Sequence, residues 1–306
     1  MKKFIRYFIA VALVGLMFFV SDYLKIIDVV FPEVAALSVV LLVIDKGVWK
    51  ANYLQIFLLF AIYSCLGVVV VKFSPFSTIT NFIISAFFAL LGFQLTRTNI
   101  YPAFSAMLLA ILLGVHSWIY PISVVLMISL ILGLQTLMVK WGLRAELNSK
   151  ELSSRRKSGA RWIISRWIVI SLCAFLAIHY DLKFLILPPI IVSYLEVSTT
   201  KSDLKSYPFN LIILMAAGSV LGMFSKMALV DALGFPPYIA FPLCLSVLFL
   251  FFEYVRRSFA PAAALVLIPY IIEGDLTFYP IYVVVGSIIF ILIGEIQSKY
   301  SKSLLS

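Results

Sequence analysis

The chain has 306 residues, of which 63% are apolar, 15% aromatic and 12% charged, with a formal net charge of +10. Soluble domains run at about half apolar and a quarter charged, so a water-exposed globular surface and a disordered chain are both excluded. The apolar residues fall in blocks of roughly twenty, the length that crosses a hydrocarbon core of about 30 Å. The composition is that of an all-α polytopic membrane protein.

The first block follows Met1-Lys2-Lys3 and runs to Val20. No small-residue cleavage site follows it, so it is expected to stay as a first span. Further blocks cover residues 27–45, 52–72, 78–96, 101–116, 118–139, 161–180, 184–200, 207–229, 235–255, 259–272 and 277–297, about twelve transmembrane helices together. Between them, residues 140–160 form a polar, basic linker that divides the chain into 1–139 and 161–306.

The two parts repeat each other. An offset of 159 pairs Arg97 with Arg256, Pro102-Ala103 with Pro261-Ala262, and Tyr120-Pro121-Ile122 with Tyr279-Pro280-Ile281. An offset of 155 pairs Ser38 with Ser193, Lys46 with Lys201, Lys50 with Lys205, and Leu66-Gly67 with Leu221-Gly222. This is the signature of an internal duplication. With the N-terminus inside, only Lys25, Lys72, Lys183 and Lys226 of the 24 Lys and Arg fall outside. That is the positive-inside pattern, and it explains the net charge without nucleic acid. Six spans per copy is an even number, so the copies are expected as two parallel six-helix repeats with both termini cytoplasmic.

Cys65, Cys173 and Cys244 stand singly in different apolar blocks, and His116 and His179 have no ligand-type partner nearby in sequence. Neither a metal site nor a disulfide framework is expected, and no nucleotide-binding or hydrolase motif occurs. No cofactor and no enzymatic activity are expected.

Proline supplies the strongest functional hint. Pro32, Pro102, Pro188-Pro189 and Pro261 each open a span and are followed by small or polar side chains. Proline suits the first turn of a helix, whose N–H groups lack intrahelical partners. Such starts set within the bilayer would place free N–H groups and positive dipole ends around an anion. Beside them lie Gln94, Thr96, Arg97, Thr98 and Asn99 in the first copy, and Glu253, Arg256, Arg257 and Ser258 in the second. Arginine offers a fixed fork of donors for oxyanions, though these arginines also fit as inside anchors that snorkel to head groups. The candidate substrate-binding set is Arg97, Thr98, Asn99, Pro102, Ser105, Ser38, Ser193, Glu253, Arg256 and Pro261.

The run Leu95-Thr96-Arg97-Thr98-Asn99-Ile100-Tyr101-Pro102-Ala103-Phe104-Ser105-Ala106 resembles the HPP family of integral membrane proteins. The resemblance extends through residues 202–208 and the Gly218/Gly222 span, so the chain resembles two HPP-type units in tandem. Where that family has its histidine and first proline, this chain has Ile100 and Tyr101, and in the second copy Phe259 and Ala260. Plastid and cyanobacterial members are associated with nitrite transport, so the resemblance implies a small-anion transporter. A weaker resemblance is to the exporters of aromatic acids and fusaric acid.

The expectation is thus a secondary transporter of a small anion or anionic metabolite in the plasma membrane, with its site between the repeats. Its partners would be the lipid bilayer, the anionic substrate, a coupling ion (proton or sodium) and, as a further option, a second copy of the chain. The alternatives are a non-transporting membrane scaffold or accessory subunit, and an amphiphile or aromatic-acid exporter.

Overall fold

The computed structural model describes residues 2–44, 49, 51–144, 159–199, 207–272 and 274–303, without side chains from 300 onward. Most of the 140–160 linker, together with Lys46, Lys50, Lys201 and Lys205, lies outside the described residues. Everything regular among the described residues is helical. In chain order the helices are α1 (Lys2–Leu24), α2 (Glu33–Ser38), α3 (Tyr53–Phe73), α4 (Thr78–Thr96), α5 (Pro102–Leu113) and α6 (Ile119–Lys140). They continue with α7 (Ala160–His179), α8 (Pro188–Val197), α9 (Pro208–Phe224), α10 (Pro237–Val255), α11 (Ala260–Ile271) and α12 (Tyr279–Ser303). Wide π-type turns prolong α2 through Val39–Val43 and α9 through Ser225–Ala232.

Local chemistry sets many of these boundaries. Asn52 and Gln55 form a reciprocal capping box at the start of α3, and the Ser77 hydroxyl caps α4 by accepting from the Thr80 N–H. Prolines open α5, α8, α9, α10 and α11, where a missing N–H costs nothing. Arg97 ends α4 and Arg256 ends α10, both in the left-handed region at φ 54° and 57°.

Among the described residues eight helices are long and apolar enough to cross a membrane: α1, α3, α4, α6, α7, α9 with its extension, α10 and α12. They present large apolar side chains outward, such as Leu58 and Ile62 on α3, Leu126 on α6, Leu172 on α7 and Leu292 on α12. A water-soluble surface does not carry apolar patches on this scale, whereas a surface facing lipid does.

The other four helices differ in kind. The second and eighth blocks, expected as spans 27–45 and 184–200, are each a single 3-10 turn followed by a short helix. The fifth and eleventh blocks give helices of 12 residues, roughly 18 Å long at 1.5 Å per residue, too short to cross alone. Nearly every residue of α2, α5, α8 and α11 is buried. The long helices therefore enclose a centre made of the four short ones.

Packing around this centre is paired. α3 packs on α5 as α9 packs on α11; α1 meets α10 as α7 meets α4; α2 meets α11 as α8 meets α5. The Tyr120 hydroxyl donates to the Ala106 carbonyl at 2.9 Å, and Tyr279 donates to the Leu265 carbonyl at 2.8 Å. Helix association in lipid gains little from burial, so close van der Waals contact has to supply it. Gly67 lets α5 approach α3, where an added Cβ would lie 2.8 Å from the Met107 carbonyl oxygen. Gly218 and Gly222 do the same for α11 against α9. Hydrogen bonds tie the parts of the chain along the α1–α10 and α4–α7 contacts: the Tyr7 hydroxyl donates to Glu253 at 2.5 Å, and the Trp167 indole donates to the Ile83 carbonyl at 2.9 Å.

Candidate functional site

The four short helices aim their first turns at one buried space. It is lined by Glu33 and Ala36 from α2, Pro102 and Ser105 from α5, Pro189 and Val192 from α8, and Pro261 and Ala264 from α11. Each helix thus contributes two residues three apart, which lie on one helical face. The proline or, in α2, the residue after Pro32 stands nearest the helix start, so the first turn of each helix faces the cavity. The cavity volume is about 10 Å³. A cavity needs about 10–15 Å³ of such volume to hold one water, so this one takes a water-sized species and a larger anion requires the helices to part.

Its electrostatics follow from the helix starts. The first four N–H groups of a helix have no intrahelical partner, and the aligned peptide dipoles place roughly half a positive charge there. Three helices of 10 to 12 residues, α5, α8 and α11, bring their starts to the cavity. The N–H groups of Ala103, Phe104, Ile190, Ile191 and Ala262 already donate to the carbonyls of Ile100, Tyr101, Leu187 and Phe259, so these ends act through the dipole and not through free donors. Facing them is the Glu33 carboxyl. Glu33 is only 1% exposed, and neither of its carboxyl oxygens has a hydrogen-bond partner. The Ser105 hydroxyl faces it, also fully buried and unpartnered, without reaching hydrogen-bond geometry. Unpaired polar groups this deep are costly, so the pair calls for a further partner such as water, an ion or a ligand.

The opposite ends of two short helices are neutralised by arginines. Arg6 on α1 donates to the Val43 carbonyl at 3.1 Å, and Arg144 donates to the Val40 and Ile44 carbonyls at 3.1 and 2.7 Å. Arg166 on α7 donates to the Ser198 carbonyl at 2.8 Å and its hydroxyl at 3.3 Å, closing α8. A cation at a helix C-terminus opposes the negative dipole end, so these arginines hold α2 and α8 in place with their starts at the cavity.

The candidate residues divide clearly. Pro102, Ser105 and Pro261 line the cavity. Ser38 and Ser193 sit fully buried farther along α2 and α8, off the cavity lining; the Ser193 hydroxyl donates to the Ile190 carbonyl at 2.6 Å. Arg97 and Arg256 are helix ends with exposed side chains, and the structure does not bring them to the cavity. Thr98 is buried beside the α4 end, where its hydroxyl lies 3.0 Å from that of Thr96, and Asn99 follows in the same turn. Glu253 pairs with Lys3 at 2.6 Å and with Tyr7, and so joins α10 to α1 instead of facing a ligand or the neighbouring arginines. Arg257 stacks on the Tyr207 ring, 3.9 Å from its centroid.

The site residue missing from the candidate set is Glu33. A carboxylate inside an apolar block, directly after a span-opening proline, was a sufficient signal. Among the described residues no group of three His, Cys, Asp or Glu side chains is arranged to hold a metal ion. No family model, no curated protein and no solved structure matches the chain.

Proposed function

We propose that the chain is a multi-pass secondary transporter of a small monovalent anion, bound where the four short helices meet. One observation carries the reading: the first turns of α2, α5, α8 and α11 line a single buried space that also holds the unpartnered Glu33 and Ser105. Short helices whose N-terminal ends converge inside a ring of apolar spans are how many transporters build a midplane anion site. The small volume favours the smallest anions over an aromatic acid.

In the same reading residues 1–139 and 161–306 are two parallel six-helix repeats, related by about a half turn along the membrane normal. Support comes from the matched contacts and the paired tyrosine hydrogen bonds, each 159 residues apart. The protein sits in the plasma membrane with both termini cytoplasmic, as the distribution of Lys and Arg favours.

Thermal unfolding of the purified chain tests the proposal, with nitrite, nitrate, chloride and formate added between pH 5 and pH 8. A ligand that binds only the folded state raises its Tm. At least one of these anions should do so, and Ser105→Ala should weaken that anion by about fivefold, the worth of one neutral hydrogen bond of about 1 kcal/mol. If no anion shifts the Tm at any pH, the small-anion reading is wrong.

A further inference from the structure

Glu33 raises a conflict within the proposed anion site. The helix starts of α5, α8 and α11 favour one negative charge in the cavity, and the Glu33 carboxylate already lies there to supply it. Glu33 lines this small cavity, so an anion held there stays close to the carboxyl group, on the order of 7 Å away or less. With Glu33 ionised, two like charges would share a site walled by apolar side chains.

We propose that Glu33 is the proton-binding residue of the transporter: its carboxylate occupies the site when no anion is present, and an anion enters together with a proton. The inference rests on the small-anion reading above. The step is a simple exchange. Glu33 as carboxylate takes up a proton, an O–H bond forms, and the negative charge it surrenders is replaced by that of the anion. The site holds one negative charge before and after, so the paired movement is electroneutral. The new carboxylic acid gains a donor, and the Ser105 hydroxyl facing it is an unpartnered acceptor.

The surroundings isolate this titration. On α6 the group that interacts with Glu33 is Tyr120, whose hydroxyl is committed to the Ala106 carbonyl. Asp28 precedes α2 in the 3-10 turn and interacts with the same tyrosine. Into the cavity α5, α8 and α11 bring only apolar side chains and the Ser105 hydroxyl; the ionisable groups of α8, Tyr194 and Glu196, lie off this lining toward the other end of the helix. On α1, Arg6 is engaged at the far end of α2 and Tyr7 with Glu253. No cation among these groups is placed to hold Glu33 as a permanent ion pair.

The test is a nitrate titration of the purified full chain, followed by thermal unfolding from pH 5 to pH 8.5. Wild type should bind nitrate most tightly at low pH and lose affinity as pH rises, by up to tenfold per unit and roughly fiftyfold in all, the repulsion of two charges about 7 Å apart at an effective dielectric of 20. Glu33→Gln should bind at the wild-type low-pH level throughout, while Glu33→Asp should keep the pH dependence. A Glu33→Gln variant that binds nitrate with the wild-type pH slope overturns the inference and leaves the anion site standing. Failure of every form to bind any tested anion overturns both. Proton uptake by wild type on nitrate addition in weak buffer gives a reading independent of variant folding. About one proton per bound anion is expected, and none would refute the coupling.

Discussion

Gly222→Ala measures how tightly the central helices are held. On α9, an added Cβ would lie 2.7 Å from the Leu265 carbonyl oxygen and 2.8 Å from that of Val266. Ordinary contact begins at 3.4 Å, so α11 has to retreat by about 0.7 Å. Both neighbours are backbone atoms of a buried helix and cannot swing aside. Overpacking of this kind costs about 1–3 kcal/mol. The change from glycine to alanine returns about 1 kcal/mol of helix propensity, leaving a net loss between nothing and about 2 kcal/mol. Gly133→Ala on α6 is the control, because nothing lies within 4 Å of its Cβ position and only the propensity gain remains. The two variants should therefore differ by about 1–3 kcal/mol, Gly222→Ala being the weaker. Equilibrium unfolding in mixed micelles reads the difference directly. Equal stability in the two variants would mean that α9 and α11 do not approach as described. Because Leu265 adjoins Ala264 at the cavity, the Gly222 variant should also weaken anion binding, which Gly133→Ala should not.

Other outcomes follow from the same geometry. Arg166→Met removes the charged donors that close α8 at Ser198 and should cost about 2–4 kcal/mol in the same unfolding assay, since charged hydrogen bonds contribute about 1.5–3 kcal/mol each. Arg97→Gln and Lys140→Gln should change anion affinity alike and by less than about twofold, because Arg97 is an exposed helix end and surface charges are screened; a tenfold loss confined to Arg97→Gln would place the site elsewhere. In intact cells a membrane-impermeant thiol reagent should reach a cysteine at Asp275 and miss one at Ser154. Labelling at Ser154 would overturn the proposed orientation.

Much of the architecture was legible in order along the chain. Apolar block length marks a helix that crosses lipid, and the expected block 78–96 coincides with α4 (Thr78–Thr96). Matching residues at a fixed offset anticipated paired contacts such as Tyr120 to Ala106 and Tyr279 to Leu265. Proline at a block's start anticipated where α5, α8 and α11 begin, since its ring tolerates only that part of a helix.

What the order of residues left open is which apolar blocks face lipid and which face other helices. Hydrocarbon and a packed protein interior are equally apolar, so hydropathy rates the short α11 and the long α3 alike. Only packing separates them, through the glycines that admit α5 and α11 to the centre and the arginines that close α2 and α8. The same limit applies to the site. Arg97 and Arg256 stand next to the helix starts in sequence, yet the left-handed turn at each sends the chain onward and leaves the side chain outside. Glu33 lies far from Pro102, Pro189 and Pro261 in sequence and joins them only because four short helices converge. Composition and spacing determined an all-helical chain with segments long and apolar enough to cross a membrane; the tertiary fold alone decided which polar groups share its centre, because proximity there is made by helix packing and not by distance along the chain.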